Sequence, residues 1–165
     1  MPKTLYLVRH AKSSWHNPSL RDFDRPLNHR GERDGPEMGR RLKERQAIPE
    51  TIICSPAQRA VETLALLNAE LGVDPDAIFM QKRIYEASTP TLFEIIRGID
   101  DRFSSAMLIG HNPSISWLAS ELSGEPIANM PTCAVAALRI DADHWAGTGL
   151  VASRLLFLDF PKNAD

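Results

Sequence analysis

Apolar positions along this chain of 165 residues gather in short β-rich runs, with segments of helical spacing between them. The runs at residues 4–8 (TLYLV), 51–54 (TIIC) and 107–109 (MLI) are short and continuously apolar, the pattern of strands buried on both faces. A shorter run at 78–80 and two longer ones at 134–140 and 154–160 read as further strands, with 142–149 connecting the last two. Helical spacing appears after Asn28, a plausible N-cap, through about Arg45, with Met38 and Leu42 four apart. Ser55-Pro56-Ala57-Gln58 predicts a second helix: Ser55 as N-cap, Pro56 as first helical residue and Gln58 completing a capping box. Its buried stripe is Ala60, Val61, Leu64, Leu67 and Leu71, and Gly72 ends it. Leu92, Ile95 and Ile96 mark a helix over 91–97. Asn112 as N-cap and Pro113 as first helical residue open another that runs to about Leu122. Strand and helix alternate without repeats or linkers. The expected fold is therefore a three-layer α/β/α sandwich with a mainly parallel central sheet, one domain over residues 1–165.

Polar residues at the strand ends change the picture. Arg9-His10 follows the first strand, Ser55 to Arg59 the second, and Gly110-His111 the third. Right-handed crossovers bring parallel strand ends to one edge of the sheet, where ligands bind in open α/β folds. Two helix N-termini arrive at the same edge with unpaired N–H groups and partial positive charge. Two arginines, two histidines and two helix N-termini describe a phosphate site. The loop over residues 11–30 is polar and longer than a connection requires, which marks it as functional.

Composition narrows the chemistry. Lys plus Arg number 19 against 21 Asp plus Glu, so the chain lacks the basic balance of a general nucleic-acid binder. No apolar stretch is long enough to span a bilayer and no signal-like segment follows Met1, so a cytoplasmic location is the default expectation. Cys54 and Cys133 form no CxxC pair and read as reduced core residues, with a catalytic thiol as the alternative. The histidines show no metal-ligand spacing. His16, His29 and His144 read as solvated, and Trp117 and Trp145 as packing.

Leu7-Val8-Arg9-His10-Ala11-Lys12-Ser13 resembles the signature of the histidine phosphatase superfamily, which has the phosphoglycerate-mutase-like fold. Ser55-Pro56-Ala57-Gln58-Arg59-Ala60-Val61-Glu62-Thr63 is similar to its second motif, and Gly110-His111-Asn112 to its third. Lys12-Ser13-Ser14-Trp15, Asp22-Phe23-Asp24-Arg25-Pro26-Leu27 and Tyr85-Glu86-Ala87-Ser88 resemble the small SixA-type phosphohistidine phosphatases. The resemblance covers residues 4–122 well and the remainder weakly.

The resemblance implies that His10 attacks phosphorus through an unprotonated ring nitrogen, while Arg9, Arg59 and His111 hold the phosphoryl oxygens. The two arginines should disfavour protonation of His10, and its other nitrogen should donate to a backbone carbonyl. Glu86 is the general acid by position in the resemblance; the alternative is a surface carboxylate paired with Lys82 or Arg83. His111 could instead cap a helix beside Asn112. Ser13 either bonds a phosphate oxygen or closes the loop. Arg25 either lines the substrate entrance or braces the loop against Asp22 or Asp24. Trp15, in the same loop, packs against substrate or anchors in the core. No metal or other cofactor is implied, because protein cations already neutralise the phosphate.

The stretch between Glu86 and His111 is used up by one helix and one strand, leaving little for a covering lid. An open cleft could admit a phosphohistidine-bearing protein such as a phosphotransfer domain, or a small phosphorylated metabolite. Three functions are consistent with this: a protein phosphohistidine phosphatase, a phosphatase of small sugar or nucleotide monoesters, and a non-catalytic phosphate-binding module.

Overall fold

β-Branched and aliphatic runs form the sheet where the sequence places them. In the computed structural model, which describes residues 1–164, six strands pair in the order β3-β2-β4-β1-β5-β6. They are β1 (Lys3–Arg9), β2 (Thr51–Cys54), β3 (Ile78–Met80), β4 (Ser105–Gly110), β5 (Val135–Ile140) and β6 (Ser153–Asp159). β3, β2, β4 and β1 run parallel, while β5 and β6 are antiparallel additions at one edge. The helices are α1 (His29–Glu44), α2 (Gln58–Leu71), α3 (Thr89–Arg97) and α4 (Ser114–Ser123).

The alternation of side chains along β1 divides the core in two. Leu5 and Leu7 face a cluster with Leu92, Ile96, Ile115, Leu118 and the fully buried Trp145, beneath α3 and α4. Tyr6 and Val8 face the opposite cluster, with Met38 and Leu42 of α1 and Leu64 and Leu67 of α2. Helices thus cover both faces, giving the three-layer α/β/α sandwich expected from the pattern.

Three helix starts differ from expectation. α2 begins at Gln58 behind Ala57, which offers no side-chain cap, and Gln58 bonds Glu62 at 2.8 Å. Ser55 still belongs to the sheet edge: its N–H donates to the Ile109 carbonyl at 3.1 Å, and the helix begins later than expected, at Gln58 and not Pro56. α4 begins at Ser114. The Asn112 side chain is engaged with Asn129 and Ser116, leaving nothing to cap the first turn. α3 starts two residues earlier than its apolar spacing suggests, because Ser88 caps it by accepting from Thr91 N–H.

The loop after β1 is pinned rather than loose. Ser13 bridges Leu27 in antiparallel fashion, and Ala11 N–H donates to Thr63 Oγ1 of α2 at 2.9 Å. Gly31 permits the closest approach: a Cβ there would lie 2.3 Å from the Lys12 carbonyl oxygen. Among the described residues no helix is long and apolar enough to cross a membrane.

Candidate active site

β1 delivers Arg9 and His10 to the carboxyl edge of the sheet. His10 is only 7% exposed and its N–H donates to the Gly110 carbonyl, which locks the residue against β4. Its Nδ1 lies 2.7 Å from the Ala11 carbonyl oxygen. A carbonyl only accepts, so Nδ1 carries the hydrogen and Nε2 keeps its lone pair. Arg59, one turn into the connection from β2, donates Nε–H to that Nε2 at 3.3 Å. The His111 ring, from the end of β4, sits 5.1 Å from the His10 ring between centroids. Arg9 donates Nη1 to the Met130 carbonyl at 2.8 Å. Its Nε and the Nδ1 of His111 are both buried without a partner. Such atoms are costly to leave unmet in a folded protein and mark a place for an anionic ligand.

Electrostatics keep both imidazoles neutral. Burial pushes His10 down to about 3; His111, Arg59 and Arg9 add to this, while the Ala11 carbonyl opposes it. Burial likewise lowers His111 to about 4, with Arg59 and Arg9 adding and Asp22 opposing. The expectation that the arginines keep His10 unprotonated is therefore right in direction, but desolvation is the larger cause.

The other sequence-predicted residues divide. Arg25 is buried and braces the loop: it reaches Asp22 Oδ1 at 3.0 Å and the Ser14 carbonyl at 3.4 Å. Trp15 does not anchor in the core. It is 73% exposed and stacks on the Arg25 guanidinium, 3.5 Å from its ring centroid. Trp117, expected to pack, is 58% exposed on α4. Ser13 is buried at its backbone bridge with Leu27, in keeping with loop closure. Glu86 is exposed, in a left-handed conformation with φ of 59° beside Tyr85. Arg83, one of its expected partners, pairs with Glu94 instead. Cys54 and Cys133 are buried, and burial pushes both thiols up to about 12, which removes them as nucleophiles.

Three residues join the site that motif reading assigned no role in it. Asp22 is the hub: its Oδ2 accepts from Arg59 Nη2 at 3.0 Å and from Tyr85 Oη at 2.7 Å, and its carbonyl accepts from Arg59 Nη1 at 2.7 Å. Tyr85 donation, then Arg59 and Arg25, hold the Asp22 carboxyl down at about 2. Tyr85 also packs edge-on against His111, with centroids 5.6 Å apart. Ser55 is fully buried with Oγ 2.7 Å from His111 Nε2. Asp22 and Tyr85 lie inside motifs already singled out, but only their neighbours invited attention; Ser55 was hidden behind its plausible role as a cap.

Comparison with known proteins decides the family. Residues 5–86 match the model of the histidine phosphatase superfamily (branch 1). The chain belongs to the histidine phosphatase superfamily. An uncharacterized protein of Mycobacterium tuberculosis is 34% identical to this member over 94% of the chain and 100% of its own length. A candidate SixA phosphohistidine phosphatase from Agrobacterium tumefaciens superposes with a TM-score of 0.82 at 28% identity, covering 98% of this chain and 100% of that one. Another from Nakamurella multipartitia gives 0.86 at 22% identity, with 98% of each chain covered. This superfamily member is thus a phosphatase with the SixA architecture.

Proposed function

We propose that the protein removes phosphate from phosphohistidine on another protein, through a phosphohistidine intermediate on its own His10. The observation that carries the reading is the pairing at His10: Nδ1–H engaged by the Ala11 carbonyl, and Nε2 bearing a lone pair in the niche bounded by Arg59 and His111. The Nε2–P bond forms as the bond from phosphorus to the substrate's ring nitrogen breaks. The leaving imidazole departs neutral once its distal nitrogen has taken a proton. Water then attacks the phosphoenzyme, the Nε2–P bond breaks, and inorganic phosphate leaves. Arg9, Arg59 and His111 hold the oxygens, whose charge the loose transition state spreads. Guanidinium suits two of these roles because its fork matches two oxygens at once.

The exposure of Glu86 supports the phosphoramidate over a monoester. An alkoxide needs a well-placed acid, whereas an imidazole leaves with less help, so Glu86 assists rather than decides. Ser13 and Arg25 act by holding the loop, with Arg25 reaching the phosphate niche through Asp22. A non-catalytic binder would have no use for an unprotonated imidazole held in one tautomer. The reaction needs no metal and belongs in the cytoplasm, where thiols such as Cys54 and Cys133 stay reduced.

The test is phosphate release from a phosphohistidine-bearing phosphotransfer domain, a phosphoserine peptide and an aryl phosphate, with excess chelator throughout. Fast release from phosphohistidine that His10→Ala abolishes supports the proposal. His10-dependent turnover of monoesters alone moves the substrate to small metabolites. Turnover unchanged in His10→Ala overturns the mechanism, and loss restored by a divalent ion overturns the metal-free reading.

A further inference from the structure

Ser55 is enclosed completely, and its hydroxyl has two neighbours. Oγ accepts the Ala57 N–H at 3.2 Å and lies 2.7 Å from His111 Nε2. A hydroxyl carries one hydrogen, so the second contact can run in either direction. If Nε2–H donated to Ser55, the hydroxyl hydrogen would need a further acceptor, and among the described residues Oγ has no other partner. If Ser55 donates to Nε2, both the hydroxyl and Nε2 are satisfied. The neutral ring must then carry its hydrogen on Nδ1, which is the buried nitrogen without a partner.

We propose that Ser55 is a positioning residue that fixes the Nδ1–H tautomer of His111, so that a neutral imidazole donates a hydrogen bond to a phosphoryl oxygen bound over His10. This rests on the phosphoryl-transfer reading of the site. The two rings carry their hydrogen on the same nitrogen yet play opposite parts. His10 secures Nδ1–H on a carbonyl and offers a bare Nε2, while His111 secures a bare Nε2 on a hydroxyl and offers Nδ1–H. A neutral donor leaves charge neutralisation to Arg9 and Arg59. It also spares the site a buried imidazolium beside two guanidinium groups, an arrangement that the lowering of His111 to about 4 disfavours. The hydroxyl that looked like a helix cap is therefore withdrawn from the helix and committed to the ring.

The experiment reads tautomers directly, by imidazole nitrogen–proton correlation spectra of the isotope-labelled full chain near neutral pH. His111 signals are those missing from His111→Gln. Wild type is expected to show His111 protonated on Nδ1 and bare on Nε2. Ser55→Ala, with backbone amide signals confirming its fold, should move the hydrogen towards Nε2. It should also lower kcat/KM on an aryl phosphate, by no more than the roughly 100- to 1000-fold lost with a whole oxyanion donor. Ser55→Thr, which keeps the hydroxyl, should restore the wild-type tautomer. A wild-type His111 protonated on Nε2 overturns the proposal whatever the variants do, and so does a folded Ser55→Ala that keeps Nδ1–H. Because the spectra need no substrate, an inactive protein with the expected tautomer would refute the functional reading and, with it, the donation to a phosphoryl oxygen, while the tautomer set by Ser55 would stand.

Discussion

At the scale of single residues, the site is governed by burial. His10 and His111, near about 3 and about 4, both lie below the ordinary 6.5 of histidine. Between those values and 6.5 the unfolded chain binds protons that the folded chain refuses, so stability falls as pH drops through this window. Asp22 acts in the same direction over a lower range: its contribution is present above 3.8 and is lost only as pH falls towards about 2. Denaturant midpoints should therefore fall from about pH 7 to about pH 5, and fall less in His111→Gln. An equal slope in the variant would contradict the assignment. Over the same range kcat/KM should show no acid limb from His10. Asp22→Asn makes a second prediction at this scale. The substitution removes a negative charge from Arg59 while the Asp22 carbonyl still holds the guanidinium. Inorganic phosphate should then inhibit about fivefold more tightly, as expected for about 1 kcal/mol of relieved repulsion in a half-exposed setting. Unchanged or weaker inhibition would show that Asp22 is needed to shape the site. Arg9, His10 and His111 were legible in the sequence because each stands at a strand end beside an apolar run, and Arg59 because it opens the helix that follows β2. Asp22 and Tyr85 were not, since what brings them to Arg59 is the course of a loop without periodicity.

At the scale of elements, local capping rules and tertiary contacts compete, and the contacts prevail where the chemistry lies. Ser55 and Asn112 both fit the N-cap pattern, and both turn their side chains elsewhere, to His111 and to Asn129 and Ser116. Asn28 and Ser88, whose side chains touch none of the described site residues, cap their helices through Gly31 and Thr91 N–H groups. Strands were readable to within a residue or two because their apolar runs are continuous. The exposure of Trp15 and Trp117 was not readable, since an aromatic residue at a loop or helix position carries no label for the side it faces. The packing of α1 against the loop after β1 gives a prediction. Gly31→Ala would press a methyl group against the Lys12 carbonyl oxygen. It should cost about 1–3 kcal/mol in thermal or denaturant unfolding. Because the same loop carries Ser13 and leads from His10, activity should fall alongside stability. A neutral effect on both would mean the loop shifts freely.

For the whole molecule, one sheet edge collects the residues to which the proposed reaction assigns a role. Parallel strands β1, β2 and β4 bring His10, Ser55 and His111 to it, and the loop over residues 11–28 folds back to place Asp22 against Arg59. Between Glu86 and His111 the chain is occupied by α3, a short connection and β4, which leaves no segment to close over the niche. That economy suits a substrate presented on the surface of another protein. The central claim is that phosphate passes through His10 Nε2, and rapid quenching of the enzyme with radiolabelled phosphohistidine protein tests it most directly. The account predicts label on the enzyme that survives alkali, is lost in acid, maps to the peptide carrying His10, and is absent from His10→Ala. Full turnover with no such label, or label that persists in His10→Ala, would contradict it.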